Sequence, residues 1–153
     1  MRRVVLSPNL CDRIKCVRKT PSAGHSRREC CRLERDSLLE TTVAELLLLL
    51  GVPVQLAGFG YLCEAIILTC TEDCGTNGLT RKIYPSAAAK FGVAPSLLER
   101  EIRRSIFAAW DRAFPAFSGM FPNARSRTVT GAPTNSEFIA AVSSRMLEAF
   151  LRE

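Results

Sequence analysis

The sequence predicts an all-α domain, a compact bundle of about six helices with a helix-turn-helix inside it and no sheet. Three observations predict it. Apolar residues recur at three- and four-residue spacing in successive segments after Ser37. No segment alternates with period two over a useful length. Residues 84–110, YPSAAAKFGVAPSLLEREIRRSIFAAW, read as two helices joined by a tight turn.

Taken in order, the first helix starts at Ser37, where Ser37 and Glu40 make a possible capping box, and stops at Gly51. Its apolar stripe is Leu39, Val43, Leu46, Leu47 and Leu50. A loop, VPVQLAG, leads to a second helix over about Phe59–Thr71, with Leu62, Ala65, Ile66 and Thr69 at helical spacing. The polar stretch EDCGTNG is a loop. A third helix covers about Leu79–Phe91 and is entered or bent at Pro85. The fourth begins near Pro95, a residue suited to a first helical turn, and runs to about Phe114. Its inward stripe is Leu98, Ile102, Ile106, Ala109 and Trp110. Residues 115–132 are loop with one short turn near 117–121. The last helix follows Pro133-Thr134-Asn135, where Thr134 or Asn135 caps it ahead of Glu137 and Phe138. It ends near Leu151, with apolar residues at 138, 139, 142, 146, 147 and 150.

The chain has 153 residues, 47% of them hydrophobic, and a formal charge of +6. That suits one domain plus an appendage. The charge is uneven: residues 1–40 hold ten Lys/Arg against five Asp/Glu. Residues 1–36 lack sustained periodicity and read as a basic, cysteine-rich, disordered arm, with the helical domain over 37–153. Seven cysteines, an odd number without a signal peptide, argue for reduced thiols and a cytoplasmic location rather than a secreted disulfide framework. The one long uncharged run, LLLLLGVPVQLAGFGYLC (46–63), is interrupted by Gly51, Pro53, Gln55, Gly58 and Gly60. It reads as helix end, loop and helix start, not as a membrane span.

Little in the chain supports catalysis. The single His25 has no context to orient it, no glycine-rich phosphate loop follows a strand, and Glu99 and Glu101 cannot share a helix face. Neither cofactor nor small-molecule substrate is expected. Cys11, Cys16, His25 and Cys30 could supply four zinc ligands, but their spacing lacks a paired CxxC. Cys63 and Cys70, seven apart on one helix, read as small core residues.

The helix-turn-helix carries the positive signal. Ala88 sits four residues before Gly92, and Leu98 follows six after it: a small residue where the helices touch, a glycine free at the turn, and an apolar anchor. Glu99, Arg100, Arg103 and Arg104 lie off the apolar stripe near the start of the second helix. A recognition helix presents such N-terminal residues to base edges. Arginine binds guanine O6 and N7 bidentately, and glutamate accepts from cytosine N4. Ser96 suits a phosphate contact near the helix start, and Lys82, Lys90, Arg104, Arg125 and Arg127 are further backbone contacts.

Three segments, GVPVQLAGFGYLCEAI, LTRKIYPSAAAKFGVAPSLLEREIRRSIFAAW and APTNSEFIAAV, resemble the C-terminal effector domain of the sporulation stage-zero A response regulators. The likeness covers about Leu39–Leu151 in the same order. It implies the response-regulator effector class, a winged-helix-like function without a sheet, on a six-helix fold. It also implies binding to short boxes around a TGTCGAA-like core, with the fourth helix in the major groove. By the same matching, Glu99, Arg100 and Arg103 read bases, and Ser96 approaches the backbone. The family's basic stretch before PTNSEF is here TVTGA, so Arg125 and Arg127 are expected to compensate. Residues 1–36 are too short for the family's phospho-accepting receiver, which is expected to be absent.

The sequence thus predicts a sequence-specific, double-stranded-DNA-binding transcription regulator that pairs as homodimer or heterodimer on adjacent sites. The alternative is a protein-interaction module that pairs with or modulates full-length sporulation regulators.

Overall fold

The structure is a computed structural model, and it describes residues 27–72, 78–112, 115–121 and 131–151. The chain divides into two units, Met1–Leu38 and Leu39–Glu153. The second carries the core described below.

The elements are α1 (Arg27–Leu49), α2 (Ala57–Thr71), a π-helical segment (Leu79–Ile83), α3 (Tyr84–Phe91), α4 (Pro95–Asp111), α5 (Pro115–Met120) and α6 (Asn135–Leu151). Among the described residues there is no strand, and five α-helices, not about six, are eight residues or longer. The remaining helical pieces are the π segment and the six-residue α5. Helix α1 begins at Arg27, earlier than the Ser37 start the pattern predicts, so the expected arm is helical from 27 to 36. The cause lies in composition: RRECCRLERDS holds arginine, glutamate and leucine, and has no glycine or proline to stop a helix. The rest of the expected arm, residues 1–26, lies outside the described residues.

The core is assembled from the predicted stripes. Leu39, Val43, Leu47 and Leu50 of α1 and its end meet Leu62, Ala65 and Ile66 of α2, with Leu98, Ile102, Ile106 and Ala109 of α4 and Phe138, Ile139, Val142 and Met146 of α6. Leu147, placed in the α6 stripe by its spacing, is instead 42% exposed. The adjacent Met146 takes the inward position, so the buried stripe of α6 is narrower than the apolar one. Helix α5 inserts Phe117, which is 1% exposed. Its ring meets Trp110 edge-on at 5.6 Å, Phe121 at 5.0 Å and Phe138 at 5.7 Å. Phe121 stacks on Phe138 at 5.5 Å. These contacts join the end of α4 to the start of α6 through geometries aromatic rings favour.

Two glycines do different physical work. Gly92 closes α3 with φ +65°, its N–H donating to Ala89 O at 3.3 Å while Val93 N–H donates to Ala88 O at 3.0 Å. That pair of bonds is a Schellman cap, and it needs the left-handed conformation glycine adopts freely. A Cβ there would meet nothing within 4 Å. Gly58 is the reverse case. A Cβ on Gly58 would fall 2.1 Å from the Glu101 carbonyl oxygen and 2.3 Å from Ser105 Oγ, so α2 and α4 touch backbone to backbone.

Gly92→Ala should therefore cost about 1–2 kcal/mol through conformation alone, with asparagine tolerated better. Gly58→Ala should lose roughly 1–3 kcal/mol through overpacking, beyond the approximately 1 kcal/mol that alanine gains as a helix former, and asparagine should be worse. Urea midpoints of the four variants check this.

Cys63 gives a pH prediction. Burial raises its thiol from an ordinary 9.0 to about 11, against an opposing backbone hydrogen bond and with Glu40 and Glu64 adding to the rise. The folded state holds this proton longer than the unfolded state, so its contribution to stability falls as pH climbs from 9.0 toward about 11. At pH 8 the thiolate share is roughly a hundredfold below that of an ordinary thiol. Site-resolved mass spectrometry should find Cys63 alkylated about a hundredfold more slowly in the folded protein than in urea.

Candidate nucleic-acid interface

Helix α4 starts where Ala94 turns the chain, its extended backbone (φ −72°, ψ 142°) followed by Pro95 in the first turn. Ala94 O accepts from Leu97 N at 3.0 Å and Leu98 N at 3.1 Å, which winds the first turn tightly. Leu98, Ile102, Ser105, Ile106 and Ala109 face inward. Helical geometry then places Ser96, Glu99, Arg100, Arg103 and Arg104 on the opposite side, at spacings of three and four. Ser96, Glu99, Arg100 and Arg104 are exposed; Arg103 is half-buried.

The charged groups on this face differ in what holds them. Arg100 and Arg104 have side chains 73% and 68% exposed, and both lie near the Glu101 carboxylate, at 3.7 Å and 3.8 Å. Exposed pairs of this length stabilise little and leave both guanidinium groups available. Arg103 is engaged. Its Nη1 donates to the Pro133 carbonyl, and its guanidinium carbon lies 4.2 Å from the centre of the Phe107 ring. Partial burial lowers its pKa, and the nearby Glu137 carboxylate opposes that shift.

The sequence PTNSEF accounts for the other side of this contact. Thr134 and Glu137 form the capping box: Glu137 N–H donates to Thr134 Oγ1 at 3.2 Å, and Thr134 N–H donates to Glu137 Oε2 at 2.9 Å. That resolves the cap in favour of Thr134. Asn135, the next residue, is buried and turns inward. Its Nδ2 donates to the Glu99 carbonyl at 3.1 Å. The Tyr84 phenol, at the start of α3, is raised in pKa by burial and drawn back in part by a hydrogen bond with Asn135. The Asn135 side chain ties the start of α6 to α4.

The expected backbone contacts are distributed unevenly. Lys82 is exposed on the π-helical segment that leads into α3. Lys90 is exposed but donates to Glu64 Oε2 of α2 at 2.5 Å, a bond that raises the lysine pKa. A phosphate at Lys90 has to compete with that carboxylate. Arg125 and Arg127 lie outside the described residues, as do Cys11, Cys16 and His25 of the suggested zinc set. Cys30 lies within α1. Among the described residues, no cluster of three His, Cys, Asp or Glu could hold a metal, and no helix is long and apolar enough to cross a membrane.

Sequence reasoning missed Glu101 between the two arginines, Glu64 opposite Lys90, Phe107 beneath Arg103, and the inward role of Asn135. Only Asn135 had a signal: a capping box accounts for Thr134 and Glu137 of PTNSEF and leaves the asparagine between them unexplained.

Among the described residues the domain is all-helical, and α4 turns Ser96, Glu99, Arg100 and Arg104 outward after a tight glycine turn. Residues 43–146, more than half of the chain, match the family described as Sporulation initiation factor Spo0A C terminal, and the chain belongs to that family. It is a DNA-binding effector domain of the sporulation transcription-regulator kind.

Asn135→Ala removes a buried amide from the Glu99 carbonyl. It should lower stability by about 1–3 kcal/mol, while Ser136→Ala, one residue on and exposed, should leave the thermal midpoint within about 1 °C on the scale of small surface changes.

Proposed function

We propose that this domain is a sequence-specific transcription regulator that reads duplex DNA with a helix-turn-helix formed by α3, the Gly92 turn and α4. The observation that carries the reading is the outward face of α4, where Glu99 and Arg100 stand exposed one turn in from the helix start. Residues in that position reach base edges when a helix enters the major groove. Arg100 offers a bidentate pair to guanine, and Glu99 accepts from cytosine N4. Ser96, Arg104 and Lys82 approach the phosphates on either side, with Lys90 free to join only by leaving Glu64. Arg125 and Arg127 complete the backbone contacts. Such a regulator acts in the cytoplasm and binds adjacent boxes as a homodimer or heterodimer.

A second reading is a protein-interaction module that pairs with full-length regulators of the same family. Leu48, Leu49 and Val54, 52%, 49% and 53% exposed at and after the end of α1, favour it. Retention of a full-length family regulator in a DNA-free pull-down, lost on Leu48→Ser with Leu49→Ser, supports this reading. No retention leaves DNA reading alone.

For the leading reading, a gel-shift titration compares a duplex carrying the TGTCGAA-like box with a scrambled one. The boxed duplex should bind more tightly, and Arg100→Ala should cost roughly 1–3 kcal/mol and relax discrimination at one base pair. Raising salt from about 50 to 200 mM should weaken binding roughly a hundredfold if about four phosphates are neutralised. Equal binding of both duplexes by the wild-type protein contradicts the proposal.

A further inference from the structure

We propose that Arg103 is a positioning residue for DNA recognition: its guanidinium locks α4 to the Pro133 carbonyl, and with Asn135 on the Glu99 carbonyl it fixes how Glu99 and Arg100 are presented. This rests on the DNA-reading function proposed above and assigns Arg103 a different part in it from base contact.

The two bonds are reciprocal. A side chain of α4 reaches a backbone carbonyl just ahead of α6, and a side chain at the start of α6 reaches a backbone carbonyl of α4. They leave α4 one turn apart, at Glu99 and Arg103, and land two residues apart, at Pro133 and Asn135. Together they resist both rotation of α4 about its axis and sliding along it, which a single bond does not. The Pro133 residue is buried and lacks an N–H, so its carbonyl is an acceptor on a stiff stretch of backbone. Stacking on Phe107 draws the Arg103 guanidinium toward the later turns of α4, away from Ser96 and the helix start. Arg100 and Arg104, flanking it in sequence, have no such anchor and stand mostly in solvent.

A base reader and a positioning residue fail differently. Loss of a base contact frees one base pair and leaves discrimination at the others. Loss of alignment weakens every contact the helix makes, since small displacements degrade all of them together. Two residues that hold one helix in one place are also energetically coupled, so removing the second costs little once the first is gone.

The test measures dissociation constants of wild type, Arg103→Ala, Asn135→Ala and the double variant on the boxed duplex and on its single-base-pair substitutions, with a thermal melt of each protein. Arg103→Ala is expected to weaken the boxed duplex on the order of 10-fold. It should lower affinity for all substituted boxes in parallel, and the double variant should bind about as the weaker single variant does. Arg103→Lys, which keeps a donor for the Pro133 carbonyl, should recover most of the affinity. Relaxed discrimination at one base pair, unchanged affinity, or additive losses overturn the proposal. Should Arg103→Ala not fold, Arg103→Lys against the substituted boxes decides: wild-type discrimination supports positioning, and relaxation at one pair overturns it. Equal wild-type binding to boxed and scrambled duplexes is a separate outcome, the failure of DNA reading itself.

Discussion

The backbone contact between α2 and α4 at Gly58 is the constraint on which the rest of this domain depends. With the Glu101 carbonyl and Ser105 hydroxyl occupying the space of a Cβ, only glycine lets α2 seat this deeply. The close seat lets the apolar stripes of both helices share one core with α1 and α6. It also decides which side of α4 is left outside. Ser105 and Ile102 are committed to the α2 side and fully buried, so Glu99, Arg100 and Arg104 have nowhere to go but solvent. The outward face of α4 is therefore set from behind, by a residue on its buried side.

The second constraint works from the side. The PTNSEF segment caps α6 through Thr134 and Glu137, and between them Asn135 enters the interior and holds the Glu99 carbonyl. Buried amides are poor contributors to net stability, because their hydrogen bonds only replace those made with water. Their geometric demands are strict, however, and an apolar residue in this place could fill space without fixing the rotation of α4. The aromatic cluster of Phe117, Phe121 and Phe138 supplies apolar burial next to it. Packing holds the helices together, and the polar bonds hold one of them in register.

Much of the architecture was legible because helices announce themselves locally. The three- and four-residue spacing of Leu98, Ile102, Ile106 and Ala109 matches their burial, and the Gly92 stop carries the positive φ its position implied. Signals of that kind need only a few neighbouring residues. Where reading failed, the deciding partner was far along the chain or the local signal was weak. The extension of α1 back to Arg27 had no apolar period to mark it, and Leu147 kept its apolar identity while losing the inward position to Met146. The Gly58 contact spans more than forty residues of chain and looks in the sequence like loop chemistry. In the sequence Arg103 reads as a base contact beside Glu99 and Arg100, because composition records charge and not what the charge leans on. Its partner, a backbone carbonyl, leaves no mark in any sequence.

The proposed DNA-reading surface is the outer face of α4, held by the Gly58 contact behind it and by Asn135 at its side. The most direct test is to titrate the isotope-labelled protein with a boxed duplex and follow backbone amide resonances. The largest shifts are expected on Ser96, Glu99, Arg100 and Arg104, with small ones on the buried side at Ile102 and Ile106. Shifts centred on the exposed end of α1 around Leu48 and Leu49, with α4 unmoved, would contradict it.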